Sequence, residues 1–198
     1  MNDFHATPVQ WAEFCLAFET AGLASQLRQA KTDRDYESMI SLSVDFLNPW
    51  LWEKSSTIEK SLPMTLEFYR LGAVTRAYQA LQPHLHEPSR RGLDALLIPF
   101  IGQWLIPPVK SSLADLSSDM QLLASGGLSF ALAPQRCSSI VSCMNSTTWS
   151  EDVKSTIGGI GIAALDDREV FSSMISELIS LVSLAAQYHC GVIAAFEI

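Results

Sequence analysis

Apolar residues recur every three or four positions along most of the chain, the spacing that gathers them on one face of an α-helix. The pattern predicts about eight helices, and no set of alternating strands, in a single domain of residues 1–198. Residues 93–106 and 167–190 carry most of the apolar character, and a helix that is apolar nearly all round is normally buried. The predicted fold is therefore an all-α bundle with two central hydrophobic helices.

Capping signals mark where the outermost helices begin and end. Thr7 is expected to cap the first helix, with Pro8 in its first turn and Gly22 after its end. Asp166 is expected to cap the last helix, and Gly191 to close it. These signals predict a chain that is helical almost from its first residues to its last.

Three stretches are less regular. Ser61 and Pro63 are expected to begin a long helix that stops before Pro83. Residues 128–133 fit a short strand as well as a helical turn. Residues 192–198 are expected to form a short apolar tail after the last helix.

The composition is that of a folded chain with a large core. Apolar residues make up 48% of it and charged residues 17%, the reverse of a disordered composition. The four cysteines have irregular spacings that match neither a zinc pair nor a redox motif, so they are expected to be buried, unpaired thiols. The first residues lack the pattern of a signal peptide, which favours a cytoplasmic location.

The charge balance bears on the choice of partner. The formal net charge is -8, and the 13 Lys and Arg residues are scattered along the chain. Nucleic-acid binding draws its affinity from clustered Lys and Arg that neutralise phosphates, so this balance argues against that class. An acidic surface instead steers a protein towards basic partners.

Two motifs are similar to sites of known chemistry, and neither is complete. Residues 158–164, GGIGIAA, have the glycine spacing of a dinucleotide-binding loop but lack the preceding strand and the following acid. His84, His86 and Glu87 are close in sequence, but two imidazoles need further ligands and orienting groups to hold a metal. The sequence therefore predicts no catalytic residue, no metal and no cofactor.

The segment NPWLWEK, residues 48–54, is the strongest candidate for an interaction surface. Tryptophan is frequent at binding hot spots, and the alternative is that Trp50 and Trp52 fill a junction between helices. The leading hypothesis is a non-enzymatic interaction protein that binds a basic protein, such as an intracellular toxin-neutralising immunity protein or a chaperone. The acidic residues expected to steer that partner are Asp33, Asp35, Glu37 and Asp45.

A helical enzyme or small-ligand-binding protein is the competing hypothesis. Pro99 is expected to kink a central helix, which leaves space and backbone groups free for a ligand. The side chains expected to line this pocket between helices are Tyr69, Tyr78, Trp104 and His189.

Residues 178–196 carry no formal charge over a length that approaches a membrane span. Polar side chains interrupt the segment and no basic cluster flanks it, so a core helix is expected there and not a membrane-spanning one. The charge-poor second half of the chain also suits burial against a second copy, as in a homodimer.

Overall fold

The computed structural model describes residues 4–23, 25, 46–52, 64–66, 68–101, 129–145, 149–159 and 165–196. These residues are mainly helical, as predicted, and they also form a small four-stranded antiparallel sheet. Residues 46–52 are helical. The remaining elements are β1 (Phe4–Val9), α1 (Trp11–Thr20), β2 (Met64–Leu66), α2 (Phe68–Leu81), a 3-10 turn (Gln82–His84), α3 (Glu87–Ile101), β3 (Ser129–Leu132), α4 (Pro134–Asn145), α5 (Trp149–Gly159), α6 (Leu165–Gln187) and β4 (Gly191–Phe196).

The sheet joins the two ends of the described chain. Its strand order is β2-β1-β4-β3, and every neighbouring pair is antiparallel. Ala194 of β4 lies opposite Ala6 of β1 on one side and opposite Phe130 of β3 on the other. The two inner strands therefore come from opposite ends of the described residues.

The first element is a strand, and the prediction that Thr7 and Pro8 begin a helix is wrong. Phe4 to Thr7 do alternate between apolar and polar types, but the alternation is short and the polar members, His5 and Thr7, are buried with the rest of residues 5–9. Pro8 has no N–H to donate, and β1 loses β2 as a partner after Ala6, an arrangement in which a sheet tolerates proline. Helix α1 then begins at Trp11.

The last helix ends earlier than predicted, and Gly191 does not close it. The N–H of Cys190 donates to the carbonyl oxygen of Ala185 at 2.8 Å, and the N–H of His189 donates to that of Ala186 at 3.3 Å. His189 has a φ of 54°, so the left-handed position of this Schellman motif is held by a histidine. Residues 191–196, which were predicted to be mainly an apolar tail, form β4.

Gly191 is needed for a close approach and not for a turn. A β-carbon at Gly191 would overlap the Trp11 ring and lie 2.8 Å from the carbonyl oxygen of Leu132. Trp11 is the first residue of α1, and Leu132 is in β3. The absence of a side chain at Gly191 therefore lets α1 pack against the sheet.

Two predictions for the middle of the chain have different outcomes. The strand alternative for residues 128–133 is confirmed by β3. Residues 64–66 form β2, so helix α2 begins at Phe68, later than the start predicted at Ser61 and Pro63, which lie outside the described residues.

Helix α6 has the central position predicted for it. It packs against α2, α4, β1 and β4. Helix α3, the described part of the other predicted central helix, packs mainly against α4 and α5. The inner face of α6 is buried at Phe171, Met174, Leu178, Val182 and Ala185.

Candidate functional site

The two tryptophans of the predicted interaction segment have different environments. Helix geometry turns residues two apart by about 200°, so Trp50 and Trp52 point to nearly opposite sides of the helical segment 46–52. Trp50 is 5% exposed and belongs to the core, whereas Trp52 is 51% exposed. Trp50 therefore fills a helix junction, and Trp52 is open to solvent.

The buried ring belongs to an aromatic cluster that joins α1 to the segment 46–52. The ring of Phe14 lies 5.4 Å from that of Trp50 and 5.8 Å from that of Phe46, measured between centroids. Phe18 and Trp11 lie on the same side of α1, with their ring centroids 6.2 Å and 5.7 Å from that of Phe14. Aromatic side chains bury large areas and have few rotatable bonds, so this cluster holds the two helices in a fixed relation.

Trp52 packs against His5, which lies opposite Thr65 at the edge of the sheet. Its ring meets that of His5 at a centroid distance of 4.6 Å and an interplanar angle of 64°. His5 is 4% exposed, and its Nδ1 lies 3.2 Å from Oγ1 of Thr65. Thr65 is directly opposite His5 in the β1–β2 pairing and is exposed. We call Trp52, His5 and Thr65 the edge site.

Sequence analysis missed two members of the edge site. His5 and Thr65 are 60 residues apart, and only strand pairing brings them together. Thr7 and Pro8 were interpreted as the start of a helix, which left His5 outside any predicted element. The acidic residues predicted beside the tryptophans, Asp33, Asp35, Glu37 and Asp45, lie outside the described residues.

The residues predicted to line a ligand pocket are in separate environments where the structure describes them. Tyr78 is buried and its hydroxyl donates to Oδ1 of Asp94 at 2.7 Å, while His189 is exposed on the turn after α6. No hydrogen bond or ring contact joins Tyr78 to His189 among the described residues. Tyr69 lies in the first turn of α2, and Trp104 is outside the described ranges.

The Tyr78–Asp94 pair has perturbed proton affinities. Burial, followed by the bond to Asp94, raises the pKa of the Tyr78 hydroxyl. Burial also raises the pKa of the Asp94 carboxyl, and this outweighs the lowering by the Tyr78 hydrogen bond and the nearby Arg90. Asp94 was not predicted from the sequence, because it meets Tyr78 only when α2 and α3 pack together.

No disulfide joins the four cysteines, as predicted, and two of them are fully buried. Cys137 and Cys190 have no exposed surface, while Cys15 and Cys143 are partly buried. Burial raises the pKa of the Cys137 thiol to about 12 and also raises that of Cys190. Since the thiolate is the nucleophile, neither buried cysteine is suited to catalysis.

The two incomplete motifs gain no further ligands in the described parts of the chain. His84 and His86 are exposed, and the Glu87 carboxylate is paired with Arg91 one turn later. Among the described residues, no group of three or more His, Cys, Asp or Glu side chains is placed to hold a metal ion. Residues 160–164 of the glycine motif are outside the described ranges, and Gly158 and Gly159 end α5.

One described helix segment, Glu169–Gln187, is long and apolar enough to cross a membrane, with a mean hydropathy of 1.4. One such helix is weak evidence, because helices in the cores of soluble proteins pass the same test.

Comparisons of the chain with protein-family models, with curated proteins and with solved structures found no match.

Proposed function

We propose that the chain is a protein-interaction domain that binds a basic partner protein through the edge site, as a toxin-neutralising immunity protein or a chaperone does. The observation that carries this proposal is the position of Trp52. Half of its surface is open, although the ring is fixed against the buried His5. A rigid, half-exposed tryptophan is the kind of side chain that anchors protein interfaces.

The surroundings of Trp52 support this use. Its neighbour Trp50 packs against Phe14, so the backbone that carries Trp52 is attached to the core. An anchor that is held in place before binding loses little conformational freedom when a partner docks. Thr65 is exposed beside it and offers a hydroxyl at the rim.

The charge of the chain supports a basic partner. The net charge of -8 attracts positively charged proteins and raises the rate of encounter, while a few buried contacts determine how long the complex lasts. In this proposal the acidic surface speeds the encounter with a basic partner, and the contact with Trp52 slows its dissociation.

The test is a quantitative pull-down from the native host with the tagged chain and its Trp52→Ala variant. A basic protein should co-purify with the wild-type chain in stoichiometric yield. Truncation of a hot-spot side chain costs about 2 kcal/mol of binding free energy, so Trp52→Ala should weaken the affinity for this partner roughly 30-fold in a binding titration.

Tyr188→Ala is the matched control, because Tyr188 is an aromatic residue of similar exposure, 52%, at the end of α6. That variant should bind as the wild type does. The proposal is overturned if no protein co-purifies stoichiometrically, or if the Trp52→Ala variant retains the partner with unchanged affinity.

A further inference from the structure

Exposed large apolar side chains are rare in the part of the chain that the structure describes. They are Leu16, Trp52 and Tyr188. Leu16 lies on α1 and Trp52 on the segment 46–52, the two helical pieces joined by the aromatic cluster. Two of these three side chains therefore belong to one rigid unit of the fold.

Leu16 is the most exposed of the three, at 66%. Phe14 and Phe18, which are buried, lie about 160° away from it around the helix axis. Glu13 and Glu19 lie about 60° to either side of it, and both are exposed. The outer face of α1 thus has an apolar centre with an acidic group on each side.

Nothing within α1 neutralises these acids. The helix has the sequence WAEFCLAFET, with two acidic residues and no basic one. Covering a leucine side chain that is largely exposed to water lowers the free energy of the complex, and two flanking carboxylates favour a partner whose cations lie on each side of an apolar recess.

We propose that the outer face of α1, centred on Leu16 between Glu13 and Glu19, is a second docking surface for the same basic partner. The partner segment is amphipathic: its apolar side chains cover Leu16, and its lysine or arginine side chains pair with the two glutamates. This inference rests on the proposed function and adds the chemistry of the partner's contact surface to it.

The rigidity of α1 supports the assignment. Its inner face is fixed by the contacts of Phe14 and Phe18 with Phe46, at centroid distances of 5.8 Å and 5.7 Å. The hydroxyl of Thr20 donates to the carbonyl oxygen of Leu16 at 2.7 Å, which satisfies that backbone group within the helix. The face is therefore organised before a partner arrives.

The test uses the full ¹⁵N-labelled chain and two synthetic amphipathic helical peptides, one of leucine and lysine and the other with glutamate replacing lysine. The lysine peptide should shift the amide resonances of α1 and bind more weakly as salt is added. The glutamate peptide should leave α1 unchanged. Leu16→Ser should weaken binding of the lysine peptide about tenfold, and Glu13→Gln with Glu19→Gln should reduce its salt dependence.

Glu169→Gln is the control for charge, because Glu169 is an exposed acid on α6, and it should bind the lysine peptide as the wild type does. Leu16 is exposed, so Leu16→Ser should keep the wild-type melting temperature, which separates loss of binding from loss of fold. Resonance shifts confined to other elements, or equal binding of both peptides, overturn the inference. If the host partner binds Trp52→Ala more weakly but binds Leu16→Ser as it binds the wild type, only this inference fails. If no host partner is found, the proposed function fails.

Discussion

Two contacts between helices in this molecule differ in their chemistry: one is aromatic and the other is polar. Helix α1 packs against the segment 46–52 through the aromatic rings of Phe14, Phe46 and Trp50. Helices α2 and α3 share a partly buried hydrogen bond, from the hydroxyl of Tyr78 to the carboxylate of Asp94. Ring contacts carry no proton and do not change with pH, whereas the polar bond contains a group that titrates. The first contact suits a rigid platform for binding, and the second makes stability depend on pH.

Phe14→Ala should have the largest effect, because it removes the centre of the aromatic cluster. Phe14 is fully buried, and its loss leaves a cavity among Trp11, Phe18 and Trp50. We expect a loss of about 3–5 kcal/mol in the free energy of unfolding, measured by urea denaturation. Because no titratable group is removed, the loss should be the same at pH 5 and pH 7.

Leu16→Ala on the same helix is the control for Phe14→Ala. Leu16 faces solvent, so the change should stay within about 0.5 kcal/mol. A loss as large as that of Phe14→Ala would show that the two faces of α1 have been assigned wrongly.

Gly191→Ala tests the place where α1 meets the sheet. The new methyl group would overlap the ring of Trp11 and approach the backbone oxygen of Leu132, which is paired with β4 and has little freedom to move. Overpacking of this kind should cost about 1–3 kcal/mol, measured by the same denaturation.

Gly158→Ala is the comparison for Gly191→Ala, since no atom lies within 4 Å of the β-carbon position at Gly158. Its stability should be unchanged or raised by up to about 1 kcal/mol. Equal losses for the two glycine variants would contradict the close packing at Gly191.

Tyr78→Phe should cost less, about 1–2 kcal/mol at pH 7, because Asp94 loses a hydrogen-bond donor that had compensated its burial. Tyr188→Phe, at an exposed position, should have no measurable effect in the same urea denaturation. If both variants behave alike, the Tyr78–Asp94 bond contributes nothing to stability.

Asp94→Asn should give the smallest effect and the one that depends on pH. Burial raises the folded-state pKa of Asp94, so its contribution to stability is greatest below the unfolded pKa of about 3.9 and is lost as pH rises through the folded value. Asparagine still accepts a bond from Tyr78 but does not ionise. The stability of the variant relative to the wild type should therefore increase from about pH 4 upward, as followed by urea denaturation at several pH values. A difference that does not vary with pH would contradict this.

The helical part of the fold was predictable from sequence because its signal is local. The inner face of α6 repeats every three or four residues, and each apolar position along it is buried. The strands were harder to predict because their partners are distant. β1 alternates apolar and polar residues only from Phe4 to Thr7, and Thr7-Pro8 matches the pattern of a helix start. His189 closes α6 where a glycine was expected, because a histidine also tolerates the left-handed conformation.

The candidate site, too, was only partly predictable from the sequence. Trp50 and Trp52 were recognisable because residue type alone suggests an interface anchor. Their opposite environments depend on the helical turn of residues 46–52, whereas the sequence suggested a junction between helices at these two residues. His5 and Thr65 required the β1–β2 pairing, and the outer face of α1 required knowing that Phe14 and Phe18 point inward.

The strand order has a consequence for how the protein is made. β1 is synthesised first and β4 last, yet each is the other's neighbour at the centre of the sheet. At a translation rate of about 5–20 residues per second, β1 is synthesised roughly 10–40 seconds before β4. During that interval its buried residues, His5 to Val9, have no inner partner strand. Nascent chains of this protein are therefore expected to need protection from one another until the last strand has been added.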